Sequence, residues 1–395
     1  MPETTSESPQ QLKHIHHAED RPLLHGSKGF EHAHSALTHA HEHMAAGKHD
    51  SSLTMKYDGS PSIVFGHHPT TKKFFVATKS AFNKSPKVNY SDSDIQANHG
   101  HSPGLVSKLK SALHHLPKVA PKKGVYQGDL LHTPEDHVHH KSGSVSFKPN
   151  TITYTAHGAE AEQVKKSKVG VVVHQQYKPH TAGGGLEHMS VNAHPDTHNF
   201  KSHPDVHLKT AEHDTSKIDY PKKDQATFKK HMDAAKAIHD KGGAKMYSAV
   251  APHSGEAGHL STYINHTVRT GDTPSVKGLQ QHVTAQHERV ASKLKTPALA
   301  QQRRQEGAKH VAHIEKHSKH YGNLLSMHHH LQQAKNVLVK NLEKHEGGLD
   351  HHIDGKKSKP EGFVINHKPA TGHEEPTKLV NRAEFARANL LRSRG

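Results

Sequence analysis

Apolar residues recur along the chain with two different spacings, which predict two kinds of secondary structure. In the N-terminal part they stand at Phe30, Ala33, Leu37, Ala40 and Met44. A spacing of three to four residues places such side chains on one face of a helix. Residues 53–80 instead alternate short β-branched and aromatic runs with turn residues, which is typical of strands. We therefore predict a helix, followed by strands at 53–56, 62–65 and 74–78.

The rest of the chain repeats this contrast and predicts a β-rich core interrupted by helices. Further strands are expected at 124–131, 145–147, 151–155 and 169–174. Residues 178–222 show weak periodicity, and helical spacing then dominates until strand character returns at 362–365. In that part Phe228, Met232, Ala235 and Ile238 are predicted to share one helix face, and Gly242-Gly243 to end that helix. The predicted fold class is α+β, with an antiparallel β-rich core at 13–177 and 356–395 and a mainly helical insertion at 178–355. Residues 1–12 are polar and are expected to be a disordered lead-in.

Composition adds a class of partner and a compartment to this prediction. The formal net charge is +16 with all 48 histidines neutral. Such a surface attracts polyanions, and nucleic acid is the commonest of them. Cysteine is absent, which excludes disulfides, thiolate zinc sites and a cysteine nucleophile and fits a reducing cytosol. The polar N-terminus and the shortness of the apolar runs favour a cytoplasmic protein without membrane segments.

One short stretch, TMKYDGSP at 54–61, carries the candidate chemistry. It places Lys56 at the end of a predicted strand, directly before the turn residues Asp58 and Gly59. An unprotonated lysine amine can attack the α-phosphate of a nucleotide, forming a phosphoramidate and expelling pyrophosphate. Because Asp-Gly is a common turn pair, the same stretch also fits an ordinary solvated lysine at a β-turn.

Four motifs in this order resemble those of the covalent nucleotidyltransferase superfamily, which includes ATP-dependent DNA ligases, RNA ligases and mRNA capping enzymes. Residues 56–59 match its signature Lys-x-Asp-Gly, and residues 126–129 match its next acidic strand, with Asp129 where glutamate is usual. Residues 361–364 match Glu-Gly-x-Val, and Lys378 matches the first lysine of Lys-x-Lys. The chain is most similar to phage-encoded members of the superfamily, which would place it in the host cytoplasm.

This resemblance implies a site and two cofactors, ATP and Mg²⁺. It implies that Lys56 forms a covalent lysyl-AMP and that Lys378 is a catalytic cation at the α-phosphate. Asp129 and Glu361 would hold Mg²⁺, which prefers oxygen ligands. The implied nucleotide contacts are Met55, Asp58, Gly59, Lys79, Asp129, Phe147, Glu361 and Lys378. For Phe147, stacking on the base competes with an ordinary place in the core, where most strand phenylalanines lie.

The chain also departs from the family pattern. Thr54 stands where ligases often have an acidic residue, and Pro61 stands where many have arginine, which leaves ATP against GTP open. The second lysine of the last motif is Val380. Few residues follow Lys378, so we expect no C-terminal OB domain. The expected architecture is an ATP-grasp-like, RNA-ligase-like or minimal ligase core.

Three functions agree with these observations. The first is a monomeric ATP-dependent polynucleotide ligase that joins RNA, in preference to DNA, or seals a nicked duplex. The second is a nucleic-acid-binding protein on a degenerate nucleotidyltransferase scaffold, and the third is a nucleotidyltransferase with a non-nucleic-acid acceptor. Histidine runs such as 137–140 and 328–330 offer ligands for Zn²⁺ or Ni²⁺. Because histidine occurs in every segment, a general compositional bias is the simpler interpretation of these runs.

Overall fold

The computed structural model of the protein describes residues 15–46, 52–83, 85–179, 185–186, 189–192, 199–345, 347–367, 375–380 and 382. The chain forms two compact units. Unit 1 contains Met1–Ile15, His49–Lys217 and Glu343–Pro376, and unit 2 contains His16–Lys48, Ile218–Leu342 and Thr377–Gly395. Helices and strands are mixed, and most strand pairs are antiparallel, as the predicted fold class requires. The polar lead-in expected at 1–12 lies outside the described residues.

Unit 1 contains most of the described strands. They are β1 (Ser52–Lys56), β2 (Ser62–His67), β3 (Phe74–Ala77), β4 (Val125–His132), β5 (Val138–His139), β6 (Val145–Phe147), β7 (Thr153–Ala156), β8 (Val169–Pro179), β9 (Met189–Asn192), β10 (Val206–Thr210), β11 (Asp350–Ile353), β12 (Lys356–Lys357) and β13 (Gly362–His367). A further strand, β14 (Glu375–Leu379), begins in unit 1 and ends in unit 2. The described helices of unit 1 are α2 (Asp92–His99), α3 (Pro103–His115) and α4 (Gly158–Lys166).

These strands form three sheets. The largest has the order β10-β8-β4-β2-β3, with β9 also on β8, and β10 is parallel to β8. A second has the order β12-β11-β7-β6-β5. In the third, β1 pairs antiparallel with β13. Successive side chains of a strand point to opposite faces of its sheet. Because β2 is apolar at consecutive positions, the largest sheet has apolar side chains on both faces, and both faces are buried. Ile63 and Phe65 pack with Leu109 of α3, while Val64 packs with Phe75 and Tyr177.

Unit 2 is built from helices. They are α1 (Arg21–Ala46), α5 (Lys222–Val250), α6 (His259–Thr270), α7 (Val276–Ala291), α8 (Pro297–Lys316) and α9 (Ser318–Leu342). The long helices α5 and α9 pack along each other. Phe228, Met232 and Ala235 of α5 are buried, as their predicted common face requires. No helix in the described ranges has both the length and the apolarity needed to span a bilayer.

The division into units differs from the sequence expectation in four places, one of which is Thr377–Gly395, expected in the β-rich core but assigned to unit 2. The helix predicted from Phe30 to Met44 lies in unit 2 and not in the β-rich part. Residues 206–210, expected in the insertion, form β10 beside β8 in unit 1, and Asp350–Ile353 likewise form β11 there. β10 joins β8 as a parallel strand, so no tight hairpin turn links the two strands in the sequence. The local sequence therefore did not reveal β10.

The helix stop predicted at Gly243 is a kink within α5. There φ of Gly243 is 50°, a value that glycine adopts readily.

A buried ion pair lies in the core of unit 2. The ammonium of Lys335 in α9 donates to the carboxylate of Glu19, and both residues are 0% exposed. Burial raises the pKa of Glu19, but Lys335 and neighbouring cations outweigh burial and hold that pKa below its usual value. Burial also lowers the pKa of Lys335. Each charge is therefore tolerated only because the other is present.

We expect Lys335→Met to destabilise unit 2 by about 3–5 kcal/mol, because it leaves the Glu19 carboxylate buried without its cation. The double variant Glu19→Gln/Lys335→Met should recover a large part of that loss. Urea unfolding followed by circular dichroism measures both. The exposed helical pair of Lys229 and Asp233 supplies the control, and Lys229→Met should leave stability nearly unchanged. Equal effects of the two single substitutions would contradict this account.

Candidate active site

The pairing of β1 with β13 brings Lys56 to Glu361. The two strands are antiparallel, and Lys56, the last residue of β1, lies opposite Gly362, the first residue of β13. Glu361 directly precedes that position. Its carboxylate oxygen Oε1 forms an ion pair with Nζ of Lys56, and the two side chains are 31% and 16% exposed respectively. A nucleophile candidate and a carboxylate, far apart in sequence, therefore meet at one end of a short sheet.

Asp129 is the second carboxylate near Lys56. It lies in β4 opposite Ser62, the first residue of β2. Nε2 of His174 lies 3.3 Å from its Oδ1. Burial raises the pKa of Asp129, but His174, the Ser62 hydroxyl and Lys56 outweigh burial and hold that pKa below its usual value. The carboxylate is therefore ionised at neutral pH, within the electrostatic reach of the lysine.

Gly59 allows the chain after Lys56 to pass directly over β4. A Cβ at this position would lie 2.6 Å from the Cβ of Asp129 and 3.0 Å from the carbonyl oxygen of Leu130. The backbone N–H of Ser60 donates to the same Leu130 carbonyl at 2.8 Å. The glycine is thus required by close approach of backbone to strand, which places the Lys56 turn against Asp129.

Asp58 anchors this turn to the second sheet. Its carboxylate accepts hydrogen bonds from Nδ2 of Asn150 at 2.8 Å and from the backbone N–H groups of Thr151 and Ile152 at 2.6 and 2.8 Å. Its own backbone N–H donates to the hydroxyl of the buried Tyr154 at 2.7 Å. Asp58 therefore fixes the position of the loop after Lys56. The contact with a nucleotide that the resemblance implies for Asp58 stays a prediction.

The remaining predicted contacts in unit 1 lie in different surroundings. Met55 is buried, and its N–H donates to the carbonyl of Ala211 at 2.7 Å. Lys79 is exposed at the start of the short 3-10 helix Lys79–Phe82. Continuing the register that pairs Val64 with Ala77 places Lys79 at the end of the sheet where Ser62 and Asp129 lie.

Phe147 has the surroundings of a core residue. It is 1% exposed, its ring stacks on Tyr154 with centroids 5.7 Å apart, and it contacts the ring of His132 at 4.4 Å. A nucleobase cannot reach a ring that is already covered by aromatic neighbours. The structure therefore supports the core alternative for Phe147.

Lys378 belongs to unit 2. Its backbone N–H donates to the carbonyl of His16 at 2.9 Å, and its side chain is partly exposed. Its role at an α-phosphate stays a prediction.

A cavity of about 540 Å³ lies on the other side of β1 from Lys56. Because side chains alternate along a strand, Met55 and Tyr57 line this cavity while Lys56 does not. Its charged lining includes Glu160, Lys209 and Glu212. Lys209 donates to Glu160 and, at 3.1 Å, to the carbonyl of Gly347. The strand thus separates the candidate nucleophile from the cavity.

A chain of buried histidines leads away from that cavity. Nε2 of His207 lies 3.1 Å from the Glu160 carboxylate, and Nδ1 of His207 lies 2.9 Å from Nε2 of His132. His132 then bonds His137, also at 2.9 Å. Burial lowers the pKa of His132 and of His207, so both are neutral at neutral pH. Neutral imidazoles bonded nitrogen to nitrogen can pass a proton between carboxylate and surface.

Sequence reasoning assigned no role beside the carboxylates to the groups that surround them. Ser62 and His174 touch Asp129, and Asn150 and Tyr154 hold Asp58 and its turn. Alternation along β2 and β4 could have placed Ser62 and Asp129 on one face. The contact of His174 depends on a β-bulge in β8, where the register with β4 shifts, and no local pattern announces such a shift.

We expect Asp58→Ala to lower the free energy of unfolding of unit 1 by about 3 kcal/mol or more, because it leaves two backbone N–H groups and an amide without their charged acceptor. Chemical denaturation followed by fluorescence of the tyrosines measures the change. Glu135→Ala, an exposed carboxylate of the same unit, is the control and should leave stability nearly unchanged. A loss no greater than that of the control would show that Asp58 does not anchor the turn.

Comparison with known proteins places the chain among relatives whose activity is not established. No curated protein and no solved structure matches it. One family does match it over nearly its whole length. The chain belongs to the family of unknown function DUF6267, whose sequence profile matches residues 12–394.

Proposed function

We propose that this protein is an ATP-dependent nucleotidyltransferase of the covalent ligase type. Lys56 receives AMP, which then passes to the 5′-phosphate of a polynucleotide, RNA in preference to DNA. A 3′-hydroxyl then displaces the AMP and the strand is joined. In this proposal unit 1 is the nucleotidyltransferase core, and the histidine- and lysine-rich surface attracts the polyanionic substrate.

One observation carries the proposal, the convergence of Lys56, Glu361 and Asp129. Glu361 pairs with Lys56, and the turn after Lys56 passes so close to Asp129 that a Cβ at Gly59 would lie 2.6 Å from the Asp129 Cβ. These three residues come from β1, the turn before β13, and β4. An ordinary solvated lysine at a β-turn does not require carboxylates from other segments of the chain. An Asp-Gly turn by itself does not bring two carboxylates that are distant in sequence close to one lysine.

The chemistry follows from the charges. Nζ of Lys56 forms a bond to the α-phosphorus of ATP as the bond to the β-phosphate oxygen breaks, and pyrophosphate leaves. The amine must lose a proton before it attacks, and Glu361, already in contact with it, is placed to accept that proton. Asp129 and Glu361 are the oxygen ligands that would hold Mg²⁺, which supplies positive charge at the phosphates. Lys79 of the same unit is proposed as a further cation for the phosphates.

We expect the wild-type protein to form a covalent adduct when incubated with Mg²⁺ and ATP labelled at the α-phosphate. Lys56→Arg should form none, because arginine keeps the charge beside Glu361 but cannot act as the nucleophile. The adduct is measured on a denaturing gel and by intact mass. Lys141→Ala removes an exposed lysine of unit 1 and should label like the wild type. Equal labelling of Lys56→Arg would refute the proposal.

The acceptor is identified after the adduct has formed. Single-stranded RNA with a 5′-phosphate, a nicked duplex and a protein acceptor are offered in parallel to the isolated adduct, with ATP replaced by GTP in a matched series. Transfer of AMP to RNA supports the proposed ligase, and transfer only to protein would replace it with a non-nucleic-acid acceptor. Salt-sensitive RNA binding without any pyrophosphate release would leave a binding protein on a degenerate scaffold.

We also expect Asp129→Asn to slow adduct formation by roughly 100-fold or more, because the substitution removes a charged ligand for the metal while keeping the shape of the side chain. The rate is measured across a series of Mg²⁺ concentrations. Glu135→Gln makes the same carboxylate-to-amide change at an exposed position and serves as the matched control. An unchanged rate for Asp129→Asn at every concentration would remove Asp129 from the site.

A further inference from the structure

Four histidines of unit 2 meet in the helical bundle, although they are far apart in sequence. His253 ends the 3-10 helix Ala251–His253, His259 begins α6, and His287 and His310 lie in α7 and α8. One ligand nitrogen from each of His253, His259 and His310 lies within 4.8 Å of the others. The ring of His287 stands 5.5 Å from that of His259 and 5.4 Å from that of His310, measured between centroids.

The outer nitrogen of three of these rings is held by a protein oxygen. Nδ1 of His253 lies 2.6 Å from the hydroxyl of Tyr321, which is 0% exposed. Nδ1 of His259 lies 2.9 Å from the amide oxygen of Gln286, and Nδ1 of His287 lies 3.1 Å from the backbone carbonyl of Arg303. A histidine that donates through Nδ1 keeps its Nε2 lone pair for a ligand. Metal-binding histidines show this pattern, in which an outer partner fixes the tautomer and the ring orientation.

His287 supplies the independent observation that points to a missing partner. Its residue is 3% exposed, and its Nε2 is buried without a hydrogen-bond partner. Buried polar atoms are rarely left in this state. The ring is also given space by Gly307, where a Cβ would lie 2.8 Å from the Cβ of His287. An unsatisfied nitrogen is therefore buried on a ring that lies next to two other imidazoles.

We propose that these histidines bind one Zn²⁺ ion, with His253, His259 and His310 as ligands and His287 completing a tetrahedron. A zinc–nitrogen bond of about 2.0–2.1 Å places the nitrogens of a tetrahedral site about 3.4 Å apart. Nε2 of His253 and Nδ1 of His310 are 2.8 Å apart, so binding of the ion would open that pair slightly while the other rings close inward.

The site would be structural and not catalytic. Four imidazole ligands leave no open position for a substrate or a water molecule, which is the difference between closed and catalytic zinc sites. The ligands come from four consecutive elements of unit 2. The bound ion would therefore link these four elements and stabilise their packing. This role is independent of Lys56 and of the function proposed for unit 1.

The test uses the full chain without a histidine tag. After treatment with a chelator, the protein is titrated with ZnCl₂ against a chromophoric competitor, and Co²⁺ is added separately as a spectroscopic probe. We expect one tight equivalent of Zn²⁺, and a Co²⁺ absorption of the intensity that four-coordinate sites show. His259→Gln/His287→Gln should weaken the tight equivalent by about 100-fold or more, since it removes two of four ligands. His139→Gln/His329→Gln, at two exposed histidines, should keep it.

A second variant keeps all four ligands. Gln286→Leu removes the partner of His259 alone and should weaken binding by about 10- to 100-fold, with circular dichroism unchanged. The proposal is overturned if the wild type takes up several equivalents of equal, weak affinity. It is also overturned if His259→Gln/His287→Gln keeps the tight equivalent, or if the surface double variant loses it to the same extent.

Discussion

The candidate site depends on the antiparallel pairing of β1 with β13. In the observed register Lys56 faces Gly362, which puts the Glu361 carboxylate beside the lysine ammonium. A slip of one residue would turn every side chain of β1 to the other face and would exchange Lys56 for its apolar neighbours. Both side chains retain some contact with solvent, so the pair adds little to stability. Its importance lies in holding one amine at a defined place beside a carboxylate.

A second constraint fixes the path of the chain after that amine. Asp58 is held by donors from residues 150–152, and Gly59 passes so close to Asp129 that a larger residue would collide with it. The two together bring Asp129 to the turn and leave Lys56 little freedom to move away. The arrangement is pre-organised, because the carboxylates and the amine are positioned by buried backbone contacts and not by the ion pair alone. Pre-organised charge of this kind would serve the phosphoryl transfer proposed for the site.

The two units differ in where their buried or partly buried charged residues and histidines lie. In unit 1, β1 separates Lys56 on one side from a cavity on the other side that is lined by the half-buried Glu160 and the buried His207, with His132 bonded to His207. In unit 2, the Lys335–Glu19 pair is sealed in the core, and imidazoles converge between consecutive helical elements. The histidine-rich composition thus has structural consequences in both units. Some of its histidines replace ordinary polar residues, while others form hydrogen-bonded groups that only the folded chain assembles.

Sequence alone determined many of the local elements and singled out the candidate site residues. Alternation predicted β1, β2 and β3, the spacing of Phe228, Met232 and Ala235 predicted a buried helix face, and the motifs singled out Lys56, Asp129 and Glu361. The predictions of helices and strands succeed because period and turn chemistry act over a few neighbouring residues, while the roles of the motif residues stay predictions. Only the tertiary structure decided that β10 joins unit 1, that Phe147 is covered by aromatic rings, and that His253, His259, His287 and His310 meet. Such outcomes depend on register, bulges and helix packing between distant segments, which leave no periodic trace in the sequence.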